Sequence, residues 1–209
     1  MRQQRRRRSE FPFYQVKGGS DAMEPGKEKL WETTIGSEPI FDGKIIKVQV
    51  DTVTMSDGTT AKREIVKHPG AVAVVAIRDG KLLMVEQFRQ PLGRTQIEIP
   101  AGKLEPGEDP REAAARELEE ETGYQAPELI HLSSFYTSPG FADEIIHFYA
   151  AEQLTEGTLQ PDEDEFLELM EVTMEEAYEH IRAGRIGDAK TLMAVYAWQI
   201  KQLTGNWPI

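Results

Sequence analysis

Apolar and polar positions alternate with a period of two over residues 44–55 (KIIKVQVDTVTM), as in a strand with one face covered. Ser56-Asp57-Gly58 is a turn, and a second strand is expected around 60–67. Residues 70–78 (GAVAVVAIR) are almost continuously apolar, which fits a strand buried on both faces. Asp79-Gly80 is a hairpin signal leading into a strand at 81–88. Shorter strands are predicted around 96–99, 130–136, 144–151 and 166–172. Helices are predicted over 110–122, 174–183 and 188–203. The second opens on Thr173 with Glu176 three residues on, a capping-box pattern. The third places Leu192, Val195, Tyr196 and Gln199 near one face and stops at Gly205. Strands mixed with three helices predict an α/β sandwich, read as one domain without internal repeats from Met23 onward.

Composition narrows the chemistry. The 209 residues contain no Cys, which excludes disulfides, thiolate metal sites and a cysteine nucleophile. No run of about 18 apolar residues occurs, so no membrane-spanning helix is expected. The formal charge is −12, which disfavours nucleic acid as a partner because its phosphates would be repelled. The charge is uneven. The first 22 residues hold six cations against two anions, a net +4, which leaves −16 for the rest. That leader, residues 1–22, has no apolar periodicity and ends in Gly18-Gly19-Ser20, so it is expected to be disordered and is a candidate non-native extension. It also lacks the apolar stretch of a secretory signal, and a cytoplasmic location is expected. If so acidic a domain handles phosphates, a cation or a local Arg cluster must offset its own charge.

Residues 98–124 (EIPAGKLEPGEDPREAAARELEEETGY) carry the strongest signal. Asp109-Pro110 reads as an N-cap followed by Pro at the first helical position, with Glu112 placed to complete a capping box. Gly123 closes the helix. Between them Glu117, Glu120 and Glu121 stand at i, i+3 and i+4 and project from one side, while Ala114 and Leu118 face elsewhere, toward a sheet. Like charges so spaced destabilise a helix by roughly 0.2–0.5 kcal/mol per pair, and acids near a helix C-terminus also oppose the macrodipole. Both penalties disappear around a divalent cation. Oxygen-only ligation suits a hard ion, Mg²⁺ or Mn²⁺. Arg116 precedes the cluster and is placed to orient a carboxylate through a bidentate pair. Taken alone, such a face is more often a solvated acidic surface.

The segment fits Gly102-x5-Glu108-x7-Arg116-Glu117-Leu118-x-Glu120-Glu121-x-Gly123-Tyr124, with every fixed position filled. It resembles the Nudix box, a motif of 23 residues, and so implies membership of the Nudix hydrolase superfamily. The resemblance implies an α/β/α sandwich with a mixed sheet, preceded by an N-terminal antiparallel strand region. It implies hydrolysis of a nucleoside diphosphate linked to another group. Glu117 and Glu121 would be the main metal ligands, with Glu120 assisting and the Ala101 carbonyl contributing. The flanks REIVKHPGAVAVVAI, VEQFRQP, EIPAGKLEPGE and SPGFADE are similar to the ADP-ribose pyrophosphatase subfamily. Pro139 lies 15 residues past Tyr124, where that subfamily carries a proline. The likeness implies that Arg63 and Arg89 contact the diphosphate or the terminal ribose, which suits the fixed donor fork of Arg. Glu98 and Gly102 would line the pocket, and SPGFADE would bring Pro139, Gly140 and Glu144 near the substrate.

The likeness also implies a general base on the acidic loop at 162–165, Glu163 or Glu165, with Glu163 slightly preferred. Trp31, Phe41 and Phe11 are candidates to stack on adenine. Residues 23–60 would form N-terminal strands that pair or exchange across a homodimer, and 61–209 the hydrolase domain. The expected reaction is ADP-ribose plus water to AMP plus ribose 5-phosphate, on a small-molecule substrate with no nucleic-acid or membrane partner. Two other readings remain: another nucleoside diphosphate sugar such as a GDP-hexose, or a nucleotide-binding regulator without catalysis. His68, His131, His147 and His180 have no metal-ligand spacing and are assigned no catalytic role.

Overall fold

The structure, a computed structural model, describes residues 26–160 and 166–208. The leader at 1–22 and both loop candidates, Glu163 and Glu165, lie outside the described residues. The first three strands among the described residues, β1 (Glu32–Asp42), β2 (Lys47–Met55) and β3 (Thr60–Lys67), form an antiparallel sheet in the order β1-β2-β3. Then come β4 (Ala71–Arg78), β5 (Lys81–Arg89), β6 (Arg94–Glu98), β7 (Ala101–Lys103) and the helix α1 (Pro110–Thr122). β8 (Tyr124–Gln125), β9 (Leu129–Tyr136), β10 (Ile145–Ala151), β11 (Thr155–Glu156) and β12 (Leu167–Val172) follow, and α2 (Met174–Arg182) and α3 (Ala189–Thr204) end the chain.

The larger sheet has seven strands. Its path is β12-β5-β4-β10-β9, with β6 beside β5 and β7 beside β4. β10 runs parallel to β4 and the other ladders are antiparallel, so the sheet is mixed. The apolar run of β4 splits by parity, as strand geometry requires. Val72, Val74 and Ala76 face one way and pack with Ala113, Ala114 and Leu118 of α1. Ala73 and Val75 face the other way, onto a core that contains Ala177 of α2 and Ala194, Val195 and Trp198 of α3. Helices therefore cover both faces, which is the α/β/α sandwich the resemblance implies.

The helix boundaries follow their caps. Asp109 accepts from the backbone N–H of Arg111 and Glu112 at the start of α1, and Gly123 closes it in the left-handed region at φ 72°. At Thr173 the reciprocal capping box forms in full. Asp188 caps α3 by accepting from Thr191 N–H. Of the residues grouped near one face of α3, Val195 is buried and Leu192 and Gln199 are half-buried; the buried stripe is centred beside them. It runs through Thr191, Ala194, Val195 and Trp198, while Tyr196 is exposed. The phase is set by Trp198, whose bulk fills the core. β1 carries no clean alternation because Gly36 and Pro39 sit at register shifts in its pairing with β2, and Pro is tolerated there on an edge strand.

Candidate active site

The site begins with the acidic side of α1. Glu117 and Glu121 are buried and Glu120 is half-buried. Gly102 on β7 is what lets Glu117 in: a Cβ at position 102 would overlap the Glu117 carboxylate. Glu121 Oε2 accepts from the Ala101 N–H at 3.0 Å, which ties the helix to the same strand. Arg116 organises the rest. Its Nη1 donates to Glu117 at 2.8 Å and to Glu120 at 2.9 Å, while Nε and Nη2 make a two-pronged pair with Glu108 at 2.9 and 3.0 Å. Hydrogen bonding to Arg116 holds the Glu108 carboxyl below its usual range. Hydrogen bonding to Glu108, with Glu117 and Glu120 adding to it, raises Arg116 further above its already high value.

Among the described residues, no three His, Asp or Glu side chains converge as a ready-made metal site. Instead a guanidinium sits against two of the three α1 carboxylates. The cluster thus already accommodates positive charge, and its donors are all oxygen. Both features fit a hard divalent cation, which Glu117, Glu120 and Glu121 could hold.

A cleft of about 510 Å³ opens beside this cluster, lined among others by Ala101, Gly102, Arg89, Glu98, Glu144 and Lys190. Arg89, on β5, donates from Nε and Nη2 to the two oxygens of Glu98 at 2.7 and 2.8 Å. Lys190, from α3, also donates to Glu98 and reaches Asp188 Oδ1 at 3.0 Å. Burial alone would raise the Glu98 carboxyl. The hydrogen bonds and charges of Arg89 and Lys190 overcome it and bring its pKa down to about 2. Lys190 and Asp188 carry no motif in the sequence; 92 residues separate Lys190 from Glu98, and only the fold joins them.

The remaining candidates divide. Glu144 accepts from Thr137 Oγ1 at 2.7 Å, and both line the cleft, as does His68. Pro139 and Gly140 lie in the turn from Ser138, which Phe141 and Ala142 close through backbone bonds to the Ser138 carbonyl. Asp143 fastens that turn to β3 by accepting from Lys67 Nζ and the His68 N–H, each at 2.9 Å. Arg63 is not brought to the cleft. It is half-exposed on β3 and pairs with Glu32 on β1, its Nε at 2.9 Å from the carboxylate. Trp31 and Phe41 are exposed at the two ends of β1. Trp31 lines a larger groove of about 950 Å³ with Ile35 and Met55. That groove includes neither the α1 carboxylates nor Ala101 and Gly102, the two β7 residues against which those carboxylates pack and which line the smaller cleft.

Residues 67–195 match the NUDIX domain, and residues 32–66 match the nucleoside diphosphate sugar hydrolase N-terminal domain. The chain belongs to the NUDIX domain family. The match to this family covers more than half of the chain and includes α1 with its carboxylates. Similar proteins include an ADP-ribose pyrophosphatase of Bacillus subtilis (strain 168), 54% identical over 84% of this chain and 96% of the relative. A methanol dehydrogenase activator of Bacillus methanolicus is 55% identical over 82% of this chain and 94% of its own. A GDP-mannose pyrophosphatase of Yersinia enterocolitica is 40% identical over 60% of this chain and 70% of its own. A crystal structure of an ADP compounds hydrolase superposes with TM-score 0.74 at 22% identity, covering 85% of this chain and 97% of that one, and shows the fold. The protein is thus a Nudix hydrolase.

Proposed function

We propose that this protein hydrolyses the diphosphate of ADP-ribose to AMP and ribose 5-phosphate, with Mg²⁺ or Mn²⁺ held by Glu117, Glu120 and Glu121. The observation that carries the proposal is the shared cleft: Gly102 and Ala101, against which the α1 carboxylates pack, line the same space as Arg89, Glu98 and Lys190. Such an ion, when bound, lowers the pKa of the attacking water and neutralises charge on the diphosphate. The chain's own residues do the rest. Arg116 keeps Glu117 and Glu120 turned together, and the Ala101 N–H fixes Glu121. Arg89 has N–H groups not used by Glu98 and offers them to phosphate oxygens. The proton of the attacking water goes to Glu163 or Glu165 of the acidic segment 162–165. The substrate choice is supported by the relative named ADP-ribose pyrophosphatase in Bacillus subtilis.

A homodimer belongs to the same proposal. Every residue of the edge strand β1 is exposed, Ile35, Ile40 and Phe41 among them. An exposed apolar edge of this length invites a covering partner. Covering it with a second copy would give Trp31, Phe41 and Arg63 a route to the partner's cleft.

Two other readings have specific support. The relatives named GDP-mannose pyrophosphatase favour a GDP-hexose as substrate. The Bacillus methanolicus relative favours a role in activating a partner enzyme. A panel of ADP-ribose, NADH, GDP-mannose and diadenosine polyphosphates with Mg²⁺ tests them together. ADP-ribose should rank among the best by kcat/KM. A panel led by GDP-mannose, or one with nucleotide bound and nothing cleaved, would overturn the ADP-ribose reading.

A further inference from the structure

The backbone fixes the ring of one cleft residue at the entry to β4, His68-Pro69-Gly70. Asp143 Oδ1 accepts from the His68 N–H at 2.9 Å, which pins the residue to the turn that follows Ser138. The Gly70 N–H donates to the ring itself, at Nδ1, over 3.1 Å. Gly70 reaches back this way with φ at +94°, a conformation that side chains disfavour. A backbone N–H only donates, so Nδ1 must accept, and the neutral ring carries its proton on Nε2. Glu144 Oε1 stands 3.7 Å from Nδ1, beyond hydrogen-bond range, and its other oxygen accepts from Thr137.

The Nε2–H is a donor that solvent reaches. Among the described residues no acceptor pairs with it. Nor is it one of the side-chain atoms buried without a partner there, which are Tyr149 Oη, Asp188 Oδ2 and Trp207 Nε1. The side chain keeps 12% of its surface exposed, and the residue lines the cleft. Register sets its place. Ala71 pairs with Lys103 and Val72 with Gly102, and the Gly70 carbonyl accepts from the Leu104 N–H at 3.1 Å. His68 therefore leads into the neighbour of β7, the strand against which Glu117 and Glu121 pack. Arg89 and Lys190 are already engaged with Glu98, whereas this N–H has no partner to give up. A neutral donor held in one tautomer costs no reorganisation when it meets an anionic oxygen.

We propose that His68 donates from Nε2 to an oxygen of the bound diphosphate, and so is a catalytic residue. The inference rests on the nucleoside diphosphate sugar reading given above. The spacing of the four histidines carries no sign of it, because the role needs one imidazole and the Gly70 backbone rather than a cluster.

Two substitutions separate this role from that of a turn residue. His68→Asn keeps an oxygen near Nδ1 for the Gly70 N–H but does not reach the place of Nε2. His68→Gln puts an amide N–H near the place of Nε2 and gives up the short acceptor. Thermal melts and kcat/KM are measured for the wild type and both variants, on ADP-ribose and on an ADP alkyl ester, which keeps the diphosphate and lacks the second sugar. His68→Asn should melt like the wild type and lose about 10- to 100-fold in kcat/KM on both substrates. His68→Gln should melt lower yet recover most of that loss. A purely structural role predicts the reverse order of activity, with Asn above Gln, and that order would overturn the proposal. So would an Asn variant within twofold of the wild type, or a loss on ADP-ribose that the ester does not share; in each case the function stands. If the wild type cleaves no nucleoside diphosphate compound, the function itself fails and the role of His68 falls with it.

Discussion

Glu98 offers the sharpest stability test. Its side chain is 3% exposed and is held by two cations, Arg89 and Lys190. Its pKa stands at about 2 against an ordinary 4.5. The folded state therefore binds its proton more weakly than the unfolded chain does. The resulting stabilisation is fully present above pH 4.5 and is lost as pH falls toward 2. By linkage it amounts to about 3 kcal/mol at pH 7 and roughly half of that at pH 3. Glu98→Gln is close in shape and removes only the charge, leaving Arg89 and Lys190 without their shared anion. Loss of one member of a buried pair costs about 3–5 kcal/mol, in the same range. Urea titrations followed by the fluorescence of the buried Trp198 and Trp207 give both numbers. The variant should be less stable by about 3 kcal/mol at pH 7, and the gap should narrow by roughly half at pH 3. Adding Lys190→Met should recover part of the loss, since one stranded cation is gone. A Glu98→Gln protein within about 0.5 kcal/mol of wild type at neutral pH, or a gap that does not change with pH, refutes the reasoning.

Other consequences are equally specific. Gly102→Ala drives a Cβ into the Glu117 carboxylate, so Mg²⁺-dependent turnover should fall at least about 100-fold while circular dichroism stays native; turnover near wild type would show that Glu117 need not lie there. Glu117→Gln and Glu121→Gln should each lose several orders of magnitude in rate and remain folded, and near-wild-type turnover in both would sink the metal assignment. His131 and His147 are linked through the Ser134 hydroxyl, each at 2.9 Å, and burial lowers the pKa of both. The unfolded chain therefore takes up protons that the native state resists, and stability should fall as pH drops below about 6.5. Replacing both with Gln should flatten that slope in denaturant titrations, and an unchanged slope would place the effect elsewhere. Ile35→Glu combined with Ile40→Glu should convert a dimer to monomers in sedimentation; a wild-type protein that sediments as a monomer would remove the dimer proposal.

The legible parts of the sequence were those whose signal is local. Asp109, Pro110 and Gly123 bracket α1, and its carboxylates repeat at helical spacing, so the helix is found where the caps place it. The β4 run announces a central strand because continuous apolar sequence has few other uses in a globular chain. Local reading fails where partners are distant. Nothing near Asp188 or Lys190 marks them, because their role exists only once α3 packs beside β6. The pairing of Arg63 with Glu32, 31 residues away, was equally invisible. β1 falls within the strands the resemblance implies over 23–60, but alternation does not mark it because Gly36 and Pro39 interrupt the pattern at the register shifts. Helical spacing groups Leu192, Val195, Tyr196 and Gln199 near one face of α3 but does not say which stripe is buried, and the stripe that holds the large Trp198 is the one that packs inward.

In the proposed reaction, water splits the diphosphate of ADP-ribose between its nucleotide half and its ribose-phosphate half, in the cleft between α1 and the Arg89–Glu98–Lys190 wall. Its most direct test is identification of the products from ADP-ribose with Mg²⁺, by liquid chromatography and mass spectrometry in water enriched in ¹⁸O. The account predicts AMP and ribose 5-phosphate in equal amounts, one of them carrying a single ¹⁸O on phosphate, with none formed by Glu121→Gln. Release of ADP and free ribose, or intact ADP-ribose recovered from the wild-type protein, would contradict it.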